Sequence, residues 1–274
     1  MYSFGPIPRQ KQSGRHIGTH QKINRVARRH LSSYVNTHTA WFPSIREILH
    51  YEGMRGPDGV KIKSPGRDEP WHFIDPHDPQ KDRRLLDAIA NHRANLIDAL
   101  SDNNHERAAF EAAWLAHAVT DGLTPAHHEV EIEQLRADDV REPSIKTKIV
   151  ISGHGSRKDL IRNNWKYWGA RGAMTSHTLF EAGVATTAAP LNAAKSKLHE
   201  HDLEHLEERG FEAIYLEMVD DISHLDMYNR FKQTGWTRTL ARQTANDLLP
   251  TVIRAVTLAW YDALVHSSKG QDLP

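Results

Sequence analysis

The 274-residue chain contains no cysteine. That absence excludes disulfide staples, thiolate zinc fingers, iron–sulfur clusters and cysteine nucleophiles, so any metal here is held by imidazole and carboxylate. Net charge is missing too: 35 Lys and Arg balance 35 Asp and Glu, and the isoelectric point is about 7.4. A chain-wide basic coat for nucleic acid and an acidic tail are both excluded, so an anionic ligand must be met by local features. No window approaches eighteen consecutive apolar residues, and no transmembrane segment is expected. The opening MYSFGPIPRQKQSGRHIGTH, interrupted by Pro6 and Pro8, has no apolar run of signal-peptide length, which sets the expectation of a cytoplasmic protein.

What the chain has in excess is histidine, nineteen in all. Histidine is the commonest metal ligand and the side chain that titrates near neutral pH. Apolar residues recur at helical spacing almost throughout, which predicts an all-α fold. Helices are expected near 19–36, 41–51, 80–101, 104–121, 176–198, 203–228 and 236–267, the last kinked or divided by Pro250. Only Lys146–Ser152 (KTKIVIS) reads better as a strand. Recurrent glycine and proline between 53 and 79 predict a long loop. A second irregular stretch is expected near 128–175, inserted into what reads as a single domain over 1–274. Charge is uneven despite the zero sum. Residues 9–30 hold seven bases and no acid, 141–171 eight bases and two acids, and 196–226 two bases and ten acids. Solvated faces account for each such run taken alone.

Polar residues on apolar faces are more informative. At 100° per residue, Phe110, Trp114, His117 and Asp121 fall on one narrow stripe of their helix. A carboxylate buried there needs a compensating partner, either a metal or a hydrogen-bonded histidine. In the next strongly helical segment, His177 and Glu181 share a stripe with Val184 and Ala188. In the first helix, His20 lines up with Ile23, Ala27, Leu31 and Tyr34. Three helices each aim a histidine inward, two of them with a carboxylate one turn later, which favours a shared metal site over three independent core histidines. His127 follows Asp121 after Gly122 and Pro125 have ended the helix, and His72 lies in EPWHFIDPHDP at the close of the Gly/Pro loop. His201 and His205, amid HEHDLEHLEE, read instead as part of an exposed polar face.

In order, THQKINRVARR, WHFIDPHDP, HAVTDGLTPAH and HTLFE resemble the zinc-dependent phospholipase C family and its relatives, the single-strand-specific zinc nucleases. The H-x3-D-x5-H pattern of His117, Asp121 and His127 matches in full, and the likeness continues through H-x3-E into the closing helix. The resemblance implies a multi-helix bundle with a metal cluster between helices. One zinc would take His72, His117 and Asp121, and a second His127, His177 and Glu181. A third would take His20, with Asp121 bridging. The family also places an acid upstream of the loop histidine, as ligand or catalytic base. Asp58 is the best match, with Glu52 and Asp68 as alternatives in the same loop. In the family the mature N-terminal residue completes the third site. Here Met1 stands nineteen residues before His20, which leaves His16 as one substitute and a two-metal or a trimmed enzyme as others.

The activity so implied is phosphodiester hydrolysis by metal-bound hydroxide, giving diacylglycerol and a phosphorylated head group. Phe73, beside His72, and Trp165 and Trp168 of the basic stretch are the expected substrate-binding residues. In the phospholipase reading these tryptophans sit at a peripheral membrane surface, and in the nuclease alternative they stack the bases of nucleic acid. A third reading is a catalytically silent module stabilised by metal. The family is mostly exported, against the cytoplasmic expectation above.

Overall fold

The computed structural model describes residues 18–37, 41–63, 71–128, 157–188 and 196–269. Among these residues every regular element is helical, as the periodicity predicts. The expected strand at 146–152, His16, Asp68 and most of the stretch near 128–175 lie outside the described residues.

Helix α1 (Thr19–Thr37) buries His20, Ile23, Asn24, Ala27 and Leu31 along one face. The expected helix at 41–51 is shorter: α2 covers Ile45–Ile48 and continues as a 3-10 turn, Leu49–Tyr51. Its start is fixed by Ser44, whose Oγ accepts from the Glu47 amide while Glu47 Oε2 accepts from the Ser44 amide at 2.7 Å, a reciprocal cap. The loop expected over 53–79 is corrected in part, because α3 (Pro57–Lys63) forms inside it. Proline is tolerated at the first helical position, where its missing N–H has no partner to lose, and here it starts a helix with Asp58 in the first turn.

Helices α4 (Arg84–Ser101) and α5 (His105–Gly122) pack as an antiparallel pair. Alanines 108, 112, 113 and 116 of α5 are fully buried, and their small size lets neighbouring backbones approach. The last residue of α5, Gly122, leaves no room for a side chain: a Cβ there would stand 2.0 Å from the Tyr215 hydroxyl oxygen and 2.8 Å from Leu85 Cδ2. The chain then turns through Pro125–His127 and comes back over the helix end.

The stretch expected to be irregular up to 175 holds helix α6 (Arg157–Trp168), and α7 (Ala173–Thr187) starts inside it as well. Its helical pattern is hard to see because much of the apolar side of α6 points away from the core. Helix α8 (Glu200–His224) carries a kink at Gly210, where φ is 75°, and α9 (Met227–Thr234) follows after Asp226 at φ 48°. The single helix expected over 203–228 is therefore two.

The closing segment comprises α10 (Arg238–Gln243), a π turn at Thr244–Leu248 and α11 (Leu249–Lys269). Pro250 cannot donate a hydrogen bond and its ring crowds the preceding turn, and the wider turn just before it accommodates both effects. Helix α11 is the centre of the core and touches α1, α4, α5 and α8. Trp260 is wholly buried on it and donates from Nε1 to the Ala112 carbonyl at 2.9 Å. The run Arg238–Ser268 is long and apolar enough to cross a membrane by composition, with a mean hydropathy of 1.4, yet 78% of that window is buried inside the protein.

Candidate metal centre

The inward faces of α1, α3, α5 and α7, with the loop at His72 and the turn at His127, converge on one cluster. Four sets of ligand atoms each lie within 4.8 Å of one another: His20, Glu52 and His117; Asp58, His72 and His117; His72, Asp121 and His127; and His127, His177 and Glu181. Shared members link all four. Among the described residues, every histidine and carboxylate that the sequence nominated as a metal ligand is in the cluster.

Asp121 stands at its middle. Its Oδ1 lies 3.4 Å from His20 Nε2, and its Oδ2 lies 3.2 Å from His117 Nε2 and in direct contact with His72 Nδ1. The two oxygens therefore face different histidines, and Asp121 could be shared between two ions. The His20 and His117 rings stack at 4.0 Å with 8° between their planes, so neighbouring helices present their imidazoles in parallel.

His127 and His177 are oriented by backbone carbonyls. His127 Nδ1 donates to the His72 carbonyl at 2.9 Å, and His177 Nδ1 donates to the Ala126 carbonyl at 3.3 Å. A carbonyl only accepts, so each Nδ1 carries the proton. Each Nε2 then turns to Glu181 Oε1, at 3.2 Å from His127 and 3.3 Å from His177. Histidines that bind metals are held in this way, one nitrogen fixed by an acceptor and the other aimed at the ion. The Ile74 amide donates to the His127 carbonyl at 3.1 Å and closes a reciprocal pair that locks the loop onto the turn.

Both Asp58 and Glu52 reach the cluster, from opposite sides of one ring. Asp58 Oδ1 is 3.7 Å from His117 Nε2, with its side chain 22% exposed at the edge of the site. Glu52 is fully buried, with Oε1 accepting from Asn24 Nδ2 at 2.8 Å and Oε2 standing 3.8 Å from His117 Nδ1. Glu52 Oε2 and both His117 nitrogens are buried without a partner in hydrogen-bonding geometry. Buried polar atoms left in that condition are costly, and a bound cation between them satisfies them.

Electrostatics divide the imidazoles. Burial disfavours a charged His117, but Asp121 and Asp58 override it and raise its pKa to about 10. Burial dominates at His127 and pushes it down to about 3, leaving a neutral ring suited to ligation. For Asp58, burial is the largest influence and works upward, as does Asp121, yet the His117, His20 and His72 imidazoles together hold the carboxyl below its ordinary value.

Among the aromatic residues nominated for substrate, Phe73 is buried. Its ring stacks on His127 at 5.4 Å and packs with Tyr167 of α6, so it walls the cluster from behind. Trp165 and Trp168 lie exposed on the outer side of α6. His201 and His205 sit on α8, outside all four ligand sets. Sequence reasoning named Glu52 only as an alternative to Asp58. Its distinct place was signalled by Asn24, a polar residue one turn after His20 on the buried stripe of α1. The chain's comparisons with protein-family models, with curated proteins and with solved structures gave no match. The centre by itself is a set of buried histidine and carboxylate triads able to hold metal ions.

Proposed function

We propose that this protein is a zinc-dependent phosphodiester hydrolase of the phospholipase C type. The observation that carries the reading is the linkage of four ligand sets through shared residues, since it makes room for two or three ions in one cluster. Isolated structural zinc sites are closed and mononuclear, whereas linked nitrogen and oxygen sites with ligands to spare suit hydrolysis. The resemblance of the same residues to the phospholipase C motifs supplies the substrate class.

Zinc bound here supplies Lewis acidity toward a phosphoryl oxygen and lowers the pKa of water. The chain's own residues do the rest. His72, His117, Asp58 and Asp121 would hold one ion, and His127, His177 and Glu181 another, while His20 shares Asp121 with the first. Asp58, ionised at neutral pH and at the solvent edge, is better fitted to bind and to orient a water molecule than to act as a strong base. Phe73 and Tyr167 exclude solvent behind His127, which strengthens the electrostatics in front of it.

The test is metal analysis of purified protein, followed by parallel assays on phosphatidylcholine, single-stranded DNA and RNA, and an artificial phosphodiester. Zinc with release of diacylglycerol supports the reading. Cleavage of the nucleic acids alone replaces it with the nuclease reading, and bound zinc with no cleavage of any substrate leaves a silent metal-stabilised module.

A further inference from the structure

The large hydrophobic side chains exposed among the described residues all fall on α6 and α7: Ile161 (70%), Trp165 (72%), Trp168 (44%) and Leu179 (54%). At 100° per residue, Ile161, Trp165 and Trp168 lie within an arc of about 60° on α6. Leu179 is exposed on α7, the helix packed next to α6, to which it is tied by a 3.1 Å hydrogen bond from Thr175 Oγ1 to the Trp168 carbonyl. Beside this stripe stand Lys158, Lys166 and Arg171, all exposed. Asp159, the one acid on α6, is paired with Arg162 at 2.6 Å.

We infer that this face of α6 and α7 seats on an anionic phospholipid bilayer. Tryptophan and aliphatic side chains flanked by lysine and arginine are the composition of a helix lying in a membrane interface, where apolar area and charge attraction add. Ile161 and Leu179 have no aromatic face on which a base could stack, which disfavours single-stranded nucleic acid. A second copy of the face would bring like charges together. The same helix α7 carries His177 and Glu181 on its opposite side, so a bilayer against Leu179 lies about one helix diameter, roughly 10 Å, from the metal cluster. The inference rests on the phospholipase reading for its purpose, while the surface itself stands on exposure and charge.

The test is sedimentation of the full chain with vesicles of phosphatidylcholine alone and of phosphatidylcholine with phosphatidylserine. Two double variants, I161E/L179E and K158E/K166E, are compared with the unaltered protein, with circular dichroism and metal content as controls on folding. The unaltered protein should bind the anionic vesicles, more weakly as salt rises. Each double variant should need at least about tenfold more lipid for half-binding, with fold and metal content intact. Equal vesicle binding by all three proteins, or none by the unaltered one, overturns the inference. So does a loss confined to the binding of a single-stranded oligonucleotide. Release of diacylglycerol from a water-soluble short-chain phosphatidylcholine is measured in parallel. Vesicle binding that depends on Ile161 and Leu179 without hydrolysis would sink the phospholipase reading and sustain the surface, and hydrolysis without vesicle binding would do the reverse.

Discussion

His20 Nε2 stands 3.4 Å from Asp121 Oδ1, while His117 and His72 reach its Oδ2. Asp121 therefore meets histidines through both of its oxygens, whereas Glu181 faces His127 and His177 through Oε1. Substitution should separate the two. Glu181→Ala is expected to lower bound metal by about one ion per chain, and Asp121→Ala by more than Glu181→Ala does, with both variants losing hydrolysis. Mass-spectrometric metal analysis of each variant checks the order. Equal losses would remove the bridging role.

His117 should register metal binding as proton release. Its pKa of about 10 in the metal-free protein means that it is charged at pH 7, and a metal ligand must be neutral. Calorimetric titration with zinc at pH 7, in buffers of different ionisation enthalpy, is expected to show release of about one proton from this site.

The sign of the associated stability follows from the same shift. A pKa raised from 6.5 to about 10 by Asp121 and Asp58, against the pull of burial, stabilises the metal-free fold fully below about pH 6.5. That contribution is lost as pH rises through about 10. Thermal unfolding of chelator-treated protein should therefore fall between pH 7 and pH 10. The zinc-loaded form, in which His117 is already neutral, should not show this component.

Glu52 faces His117 Nδ1 at 3.8 Å and is itself held by Asn24. As an acceptor for His117 Nδ1, Glu52 would leave Nε2 free for the metal, a role alternative to direct ligation with His20 and His117. Glu52→Gln is then expected to weaken zinc affinity roughly 10- to 100-fold with the number of ions unchanged. Loss of a whole equivalent would instead make Glu52 a direct ligand alongside His20 and His117.

At the end of α5, Gly122→Ala would drive a methyl group into the Tyr215 ring and Leu85. Overpacking of this kind costs about 1–3 kcal/mol, measurable by denaturant unfolding, and it should displace the turn that carries His127.

The helices and most of the candidate ligands were legible in the sequence because burial leaves a periodic trace. His117 and Asp121 stood out on α5, and His177 and Glu181 on α7, as polar residues on faces where apolar ones belong. Helix α6 was not legible for the reverse reason: Ile161, Trp165 and Trp168 are apolar on a face that points outward, and a helix that does not bury its stripe gives no sign of where the core lies. Helix α3 was hidden by its own Pro57, which reads as a breaker although it starts the helix. The choice between Asp58 and Glu52 was open because both sit among short turns, where no periodicity fixes direction. The fold places one on each side of His117.

The proposed function requires that this cluster hold metal. Protein purified without added metal, passed over a chelating resin and analysed by mass spectrometry, is expected to retain two or three zinc ions per chain, falling by about one in Glu181→Ala. A folded, monodisperse protein that retains no metal and takes up none from micromolar zinc would contradict it.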